Sequence, residues 1–230
     1  ELTPGVTLEG RYRIDGLLGQ GGMGRVWNAT QLSLGRPVVV KTLRAEVSRS
    51  DVVVRRFLRE ARSAAELDHE GVVRILDVGR LSDASPYFVM EKLEGYDLGD
   101  QIERHGALPP ERLFPLMIAA LDALGEAHKA GIVHKDLKPS NLFLSRPDSR
   151  AEQIKIVDFG IAYLHAPLTA DGTSPERLTE NGQLLGTPQY LAPEYIDEQD
   201  VASALDVYQM GLIIIELLMG AYLLEGKTSF

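Results

Sequence analysis

The spacing of apolar positions divides the chain into two textures. Around RYRIDGLLGQGG and GRPVVVKTL, short glycine-bounded runs of valine, isoleucine and leucine predict strands joined by turns. From Ser50, read as an N-cap, DVVVRRFLREARSAAEL sets Val53, Phe57, Ala61, Ala64 and Leu67 on one stripe, with arginine and glutamate elsewhere; this predicts an amphipathic helix. VVRILDVGRL and PYFVMEKL return to strand character. After LEGYDLGD the pattern turns helical, chiefly in RLFPLMIAALDALGEAHKAG, with Gly131 standing where a chain leaves a helix C-terminus. GIVH, NLFL and QIKIVDFG read as short strand-like pieces, and Ala166 to Gln183 as a long flexible loop. The longest apolar run, GLIIIELLMGAYLL from Gly211 to Leu224, is interrupted by Glu216 and too short to span a bilayer, which predicts a helix buried in the core. The change from a mainly β part to a mainly α part is expected between Glu91 and Gly95, giving domains over 1–92 and 93–230.

Composition narrows the chemistry. With 44% hydrophobic and 25% charged residues among 230, the chain can bury a sizeable core. It has no cysteine, which removes disulfides, thiolate zinc sites and cysteine nucleophiles together and suits a reducing cytosol. The net charge of −9 argues against a nucleic-acid or anionic-membrane surface. The N-terminus ELTPGVTLEG has neither the basic start nor the apolar stretch of a signal peptide.

Two constellations carry chemistry. Gly19, Gly21 and Gly24 satisfy G-x-G-x-x-G, a pattern shared by phosphate-binding loops, dinucleotide folds and ordinary turns. In a dinucleotide site the third glycine opens a helix, whereas RVWNATQ reads here as strand. No lysine follows Gly24 directly; Lys41, at the end of the next strand, could instead face phosphates lying under the loop. The second constellation is HKDLKPSN followed by DFG. Asp136 could accept a proton from an incoming hydroxyl, Lys138 could neutralise a phosphoryl group, and Asn141 with Asp158 could offer hard oxygens to Mg²⁺. Each has a plainer reading, as an Asx cap, a solvated cation or a turn residue, and His134 reads as a packed core histidine rather than a catalyst.

LGQGGMGRV, HKDLKPSN, DFG, GTPQYLAPE and DVYQMG follow in order from Leu18 to Gly211, and together they resemble the eukaryotic-type serine/threonine protein kinases, in their bacterial branch. The resemblance implies an α+β, bilobal fold: a small antiparallel β-sheet N-lobe with one helix, then a mainly helical C-lobe that ends here after its central helix. It implies an ATP-dependent enzyme phosphorylating Ser/Thr hydroxyls of proteins, with Mg²⁺ or alternatively Mn²⁺ as the metal. Leu18, Gly19, Gly21, Gly22, Met23 and Gly24 would cover the phosphates, with Val26 and Val39 against the adenine. Lys41 would contact the α- and β-phosphates, paired with Glu60; Met90 would be the gatekeeper, with the backbone of Glu91 and Leu93 facing adenine. Asp136 would be the base, Lys138 the phosphate-neutralising cation, and Asn141 and Asp158 the metal ligands. Thr187 would sit in the substrate cradle, Thr179 would be the autophosphorylation site with its phosphate docking on Lys135, and Asp206 would hold the catalytic loop from behind.

The pattern departs from the family where Lys135 replaces an arginine, where Val39 replaces an alanine, and around Asp206. Partners implied are protein substrates, and a second copy for phosphorylation in trans. The implied location is cytoplasmic, or the cytosolic part of a larger or membrane-anchored protein. A nucleotide-binding pseudokinase or regulatory scaffold stays open as the alternative, and a small-molecule phosphotransferase as a more distant one.

Overall fold

The structure is a computed structural model that describes residues 2–21, 24–43, 48, 51–159, 188–192 and 203–223, with backbone alone at 51–53, 56, 59–60, 63 and 188. The chain splits into two compact units, Glu1–Asp68 with Val73–Leu93, and His69–Val72 with Glu94–Phe230.

The first unit is built on a six-stranded antiparallel sheet in the order β1-β2-β3-β4-β6-β5. Its strands are β1 (Thr7–Leu8), β2 (Tyr12–Gln20), β3 (Gly24–Gln31), β4 (Arg36–Leu43), β5 (Ile75–Arg80) and β6 (Pro86–Glu91). Antiparallel pairing puts directly opposed residues on the same face. Val38 and Val40 join Ile14, Trp27, Ala29, Tyr87 and Val89 in a core on one face, closed by Leu8 and Tyr12 with Leu2 packed against them. On the other face the register opposes Lys41 to both Val26 and Phe88, and Val39 to Met90. Helix α1 (Asp51–Ala65) docks here, with Phe57 fully buried and its ring 5.2 Å from that of Phe88. The expected stripe is buried at Phe57, Ala61 and Ala64, joined by Val54. Leu67 lies past the end of the helix, half-buried; Ser50, the expected N-cap, is outside the described residues.

In the second unit, β7 (Gly95–Asp97), β8 (Leu142–Ser145) and β9 (Gln153–Ile156) form an antiparallel sheet in that order. Residues 69–72 belong to this unit because Ile156 N–H donates to the Gly71 carbonyl at 2.8 Å. Between β7 and β8 the chain makes a single turn α2 (Leu98–Asp100), a π-helical turn (Gln101–His105) and the long helix α3 (Pro110–Lys129). Leu113, Leu116, Met117, Ala120, Ala123, Leu124 and Ala127 form the buried stripe of α3, and Gly131 leaves it in the left-handed region at φ 74°.

Two expectations change. GIVH is not a strand: the N–H groups of His134 and Lys135 bond the side chain of Asp206 instead of a neighbouring strand. The apolar run does not lie within one buried helix. Helix α4 spans Ala204–Met219, starting before the run and ending at Gly220 inside it. Only one face is buried, while Val207, Ile215, Leu218 and Met219 are exposed. The buried face carries Asp206, Gln209 and Glu216 among Leu205, Met210, Ile213 and Leu217, because loop backbone packed against it needs hydrogen-bond partners. No helix among the described residues is long and apolar enough to cross a membrane.

Candidate active site

In the first unit the glycine motif forms the β2–β3 turn, where Gly21 N–H donates to the Gly24 carbonyl at 2.9 Å. Its glycines answer to different constraints. A Cβ on Gly24 would lie 2.2 Å from the Thr42 carbonyl of β4, so strand packing requires glycine there. A Cβ on Gly19 or Gly21 would meet nothing within 4 Å. Their bareness is unexplained by contacts among the described residues and leaves the open space that phosphate oxygens would need to reach backbone N–H groups. Leu18 is 56% exposed beside them. Gly22 and Met23 lie outside the described residues, and of Glu60 only its place in α1 is described.

The register that sets Val26, Val39 and Lys41 on one face of the sheet also puts Met90 opposite Val39. Val39 is buried, whereas Val26, Lys41 and Met90 are half-buried. Glu91 closes a ring with Arg74: its N–H donates to the Arg74 carbonyl and its carboxylate accepts the Arg74 N–H, both at 3.0 Å. Leu93, half-buried, ends the unit.

In the second unit the loop from His134 to Asn141 is assembled on α4. The carboxylate of Asp206, fully buried, accepts from His134 N–H at 2.8 Å and Lys135 N–H at 2.7 Å, and lies 2.8 Å from Nε2 of His128. These contacts bend the backbone enough that Lys135 sits at φ 71°, a conformation a lysine adopts only when its surroundings impose it. His134 is fully buried, its Nε2 3.0 Å from the Val157 carbonyl and its ring 5.0 Å from that of Phe159. It is the packed histidine that the sequence suggested.

Three of the expected residues are bonded to one another here, and the fourth, Asp158, follows β9 in the same unit. Lys138 Nζ donates to the Asp136 carboxylate at 3.0 Å, with the two side chains 29% and 14% exposed. Asn141 Nδ2 donates to the Asp136 carbonyl at 2.7 Å, which leaves Oδ1 as the Asn141 atom of the right chemistry for a hard cation. Val157 N–H donates to the Asn141 carbonyl at 2.9 Å, and Leu142 faces Ile156 across β8 and β9, so Asn141 lies across from Val157, the residue before Asp158. Asp158 itself has φ 60°, again a forced left-handed residue. An amide oxygen and a carboxylate are both hard donors of the kind that suits Mg²⁺. Thr179 and Thr187 lie outside the described residues.

The sequence reading left other residues without a role. Gln209 bonds the loop around Asp136 and Tyr190, and Glu216 accepts the buried Tyr190 hydroxyl at 2.8 Å and Leu223 N–H at 3.1 Å. Burial and the hydrogen bond to Glu216 raise the Tyr190 hydroxyl well above its ordinary pKa. Their signal was available: Asp206, Gln209 and Glu216 fall on one face of an otherwise apolar helix.

A sheet-based unit with one docked helix, together with a second unit that carries an Asp-Lys-Asn loop and a later aspartate, defines the class of the protein kinases. The protein kinase domain model matches residues 12–229, and the chain belongs to that family. It is 36% identical over 225 residues to serine/threonine-protein kinase pkn3 of Myxococcus xanthus, covering 98% of this chain and 40% of that protein. It is 38% identical over 220 residues to serine/threonine-protein kinase PknA of Mycobacterium tuberculosis, covering 94% and 48%. The chain thus spans less than half the length of these relatives. Among solved structures, the PknI kinase domain of M. tuberculosis superposes with a TM-score of 0.74 at 27% identity, covering 98% of this chain and 78% of that one. The α+β class and the kinase fold expected from the sequence are those observed.

Proposed function

We propose that this chain is the catalytic domain of a serine/threonine protein kinase that moves the γ-phosphoryl group of ATP to hydroxyls of proteins, its own included. The observation that carries the reading is that Asp136, Lys138, Asn141 and Asp158 belong to one unit, the first three joined by the 3.0 Å and 2.7 Å bonds within the loop, and Asn141 bonded at 2.9 Å to Val157, the residue before Asp158. That set also counts against the pseudokinase alternative, because each group the transfer needs is present.

The division of labour follows from the chemistry of each group. Asp136 orients the acceptor hydroxyl and takes its proton as the new P–O bond forms. Lys138, held 3.0 Å from that carboxylate, offsets the charge of the transferring phosphoryl oxygens. Asn141 and Asp158 would hold Mg²⁺, which when bound neutralises and aligns the phosphate chain. Lys41 and the N–H groups of the Gly19–Gly24 turn bind the phosphates; Val26, Val39, Met90, Glu91 and Leu93 bind adenine. Mg²⁺ is the expected metal, with Mn²⁺ as a substitute. Placement in the cytoplasm and self-association for phosphorylation in trans belong to the same reading.

Incubation with Mg²⁺ and labelled ATP should transfer phosphate to the protein and to a serine- or threonine-containing acceptor, and Asp136→Asn should abolish transfer. Absence of transfer by the unaltered, folded protein would remove the reading. Mass spectrometry of the same reaction should find phosphate on Thr179, absent in the Asp136→Asn control. Phosphate found elsewhere and never on Thr179 would exclude that site.

A further inference from the structure

Gln209 projects from α4 into a fully protein-lined position, only 1% exposed, and spends its whole carboxamide on backbone. Its Oε1 accepts from Leu137 N–H at 2.9 Å; its Nε2 donates to the Lys135 carbonyl at 3.3 Å and to the Tyr190 carbonyl at 3.2 Å. The orientation of the amide is fixed by its partners, since a backbone N–H can only donate and a carbonyl can only accept. Both amide hydrogens and the oxygen are thereby committed.

The partners flank Asp136 on either side in sequence, at Lys135 and Leu137, while the third belongs to the segment Pro188–Ala192. Asp206 fixes the loop from one end, through the N–H groups of His134 and Lys135, but touches nothing beyond Lys135 among the bonds described. Gln209 adds the C-terminal side of Asp136. It also ties that loop to the segment that follows Thr187. We propose that Gln209 is a positioning residue for phosphoryl transfer: one carboxamide holds the backbone around Asp136 and the Tyr190 segment in a common frame, setting the base against the bound acceptor chain. The inference rests on the kinase reading for its functional half. Its structural half, the coupling of two loops through one side chain, stands independently.

No other uncharged side chain of similar length offers an acceptor and two donors, so substitutions separate the bonds. Gln209→Glu keeps an acceptor for Leu137 N–H but turns negative oxygen toward two carbonyls. Gln209→Met keeps the volume and removes all three bonds. In the intact protein, amide hydrogen exchange should show Leu137 protected in Gln209→Glu and exposed by about tenfold faster exchange in Gln209→Met, with residues 189–192 loosened in both. In a peptide-phosphorylation assay both variants should lose on the order of tenfold to a hundredfold in kcat/KM for the peptide while KM for ATP stays within about twofold, as misplacement of one reactant predicts. Unchanged Leu137 exchange in Gln209→Met would overturn the coupling. Folded variants with unchanged peptide kinetics, or with peptide and ATP parameters declining together, would overturn the positioning role. If the unaltered protein transfers no phosphate, the kinase reading fails and the coupling is decided by exchange alone.

Discussion

At the scale of single residues, the glycine turn shows how one motif can mix two causes. Gly24 is needed because the Thr42 carbonyl would meet its Cβ at 2.2 Å, and Gly21 has open space where a Cβ would go. Gly24→Ala should therefore push β3 from β4 and lower the melting temperature, at a cost of roughly 1–3 kcal/mol for the forced backbone shift. Gly21→Ala should leave the melting temperature nearly unchanged and weaken ATP binding. Equal melting temperatures for the two variants would contradict this separation. The motif was legible in the sequence as a pattern, but the split between its members was not: it depends on β4 lying against β3 at one register. Asp136, Lys138, Asn141 and Asp158 were legible for the opposite reason. Three of them lie within six residues, so local chain geometry brings those three together.

Among the elements, α3 is anchored by a fork of charge. Arg112 donates through Nε at 3.1 Å and Nη2 at 2.5 Å to the two oxygens of Glu152, just before β9, and lies 3.1 Å from Asp148. The hydrogen bond from Arg112 lowers the pKa of Glu152 below its ordinary value of 4.5. A carboxyl depressed on folding stabilises the protein above its unfolded pKa, and that contribution disappears as pH falls through the folded value. Glu152→Gln should thus cost roughly 1 kcal/mol at pH 7, and its difference from the unaltered protein should close in acid, below about 4.5. Urea unfolding at pH 7 and at pH 4 measures this; a gap that widens in acid would refute it. The strands and helices themselves were mostly readable from periodicity. GIVH failed because its N–H groups go to the closing carbonyls of α3, at Ala127 and His128, and to the Asp206 side chain some seventy residues away, which no local pattern reports. The exposed face of α4 escaped because it is itself apolar, at Val207, Ile215, Leu218 and Met219, while the polar stripe of Asp206, Gln209 and Glu216 marks the buried side.

For the molecule as a whole, the first ninety residues hold 13 basic and 11 acidic side chains, whereas the remaining 140 hold 11 and 22. The acidic part is thus the one that carries Asp136 and Asp158, which favours a cationic acceptor and makes bound metal ions matter for a polyanionic nucleotide. Ligand binding should register in global stability. At a hundredfold excess over Kd, Mg²⁺-ATP should contribute about 2.7 kcal/mol, which raises the melting temperature of a chain this size by roughly 5–10 °C. Asp158→Asn should lose most of that increment and Asp136→Asn should keep it, since only the former removes a proposed metal ligand. Loss of equal size in both variants would collapse the distinction between metal site and base.

The bonds from Asp206 and Gln209 to the loop around Asp136 span more than seventy residues of chain. A ribosome delivers the loop first and its acceptors several seconds later, at about 5–20 residues per second. Until α4 emerges, the N–H groups of His134, Lys135 and Leu137 have no carboxylate or carboxamide to meet, and the left-handed bend at Lys135 has nothing to hold it. The base is therefore made before the frame that aims it. On the proposed function, transfer activity should appear in a nascent chain only after α4 has folded back onto a loop translated long before it.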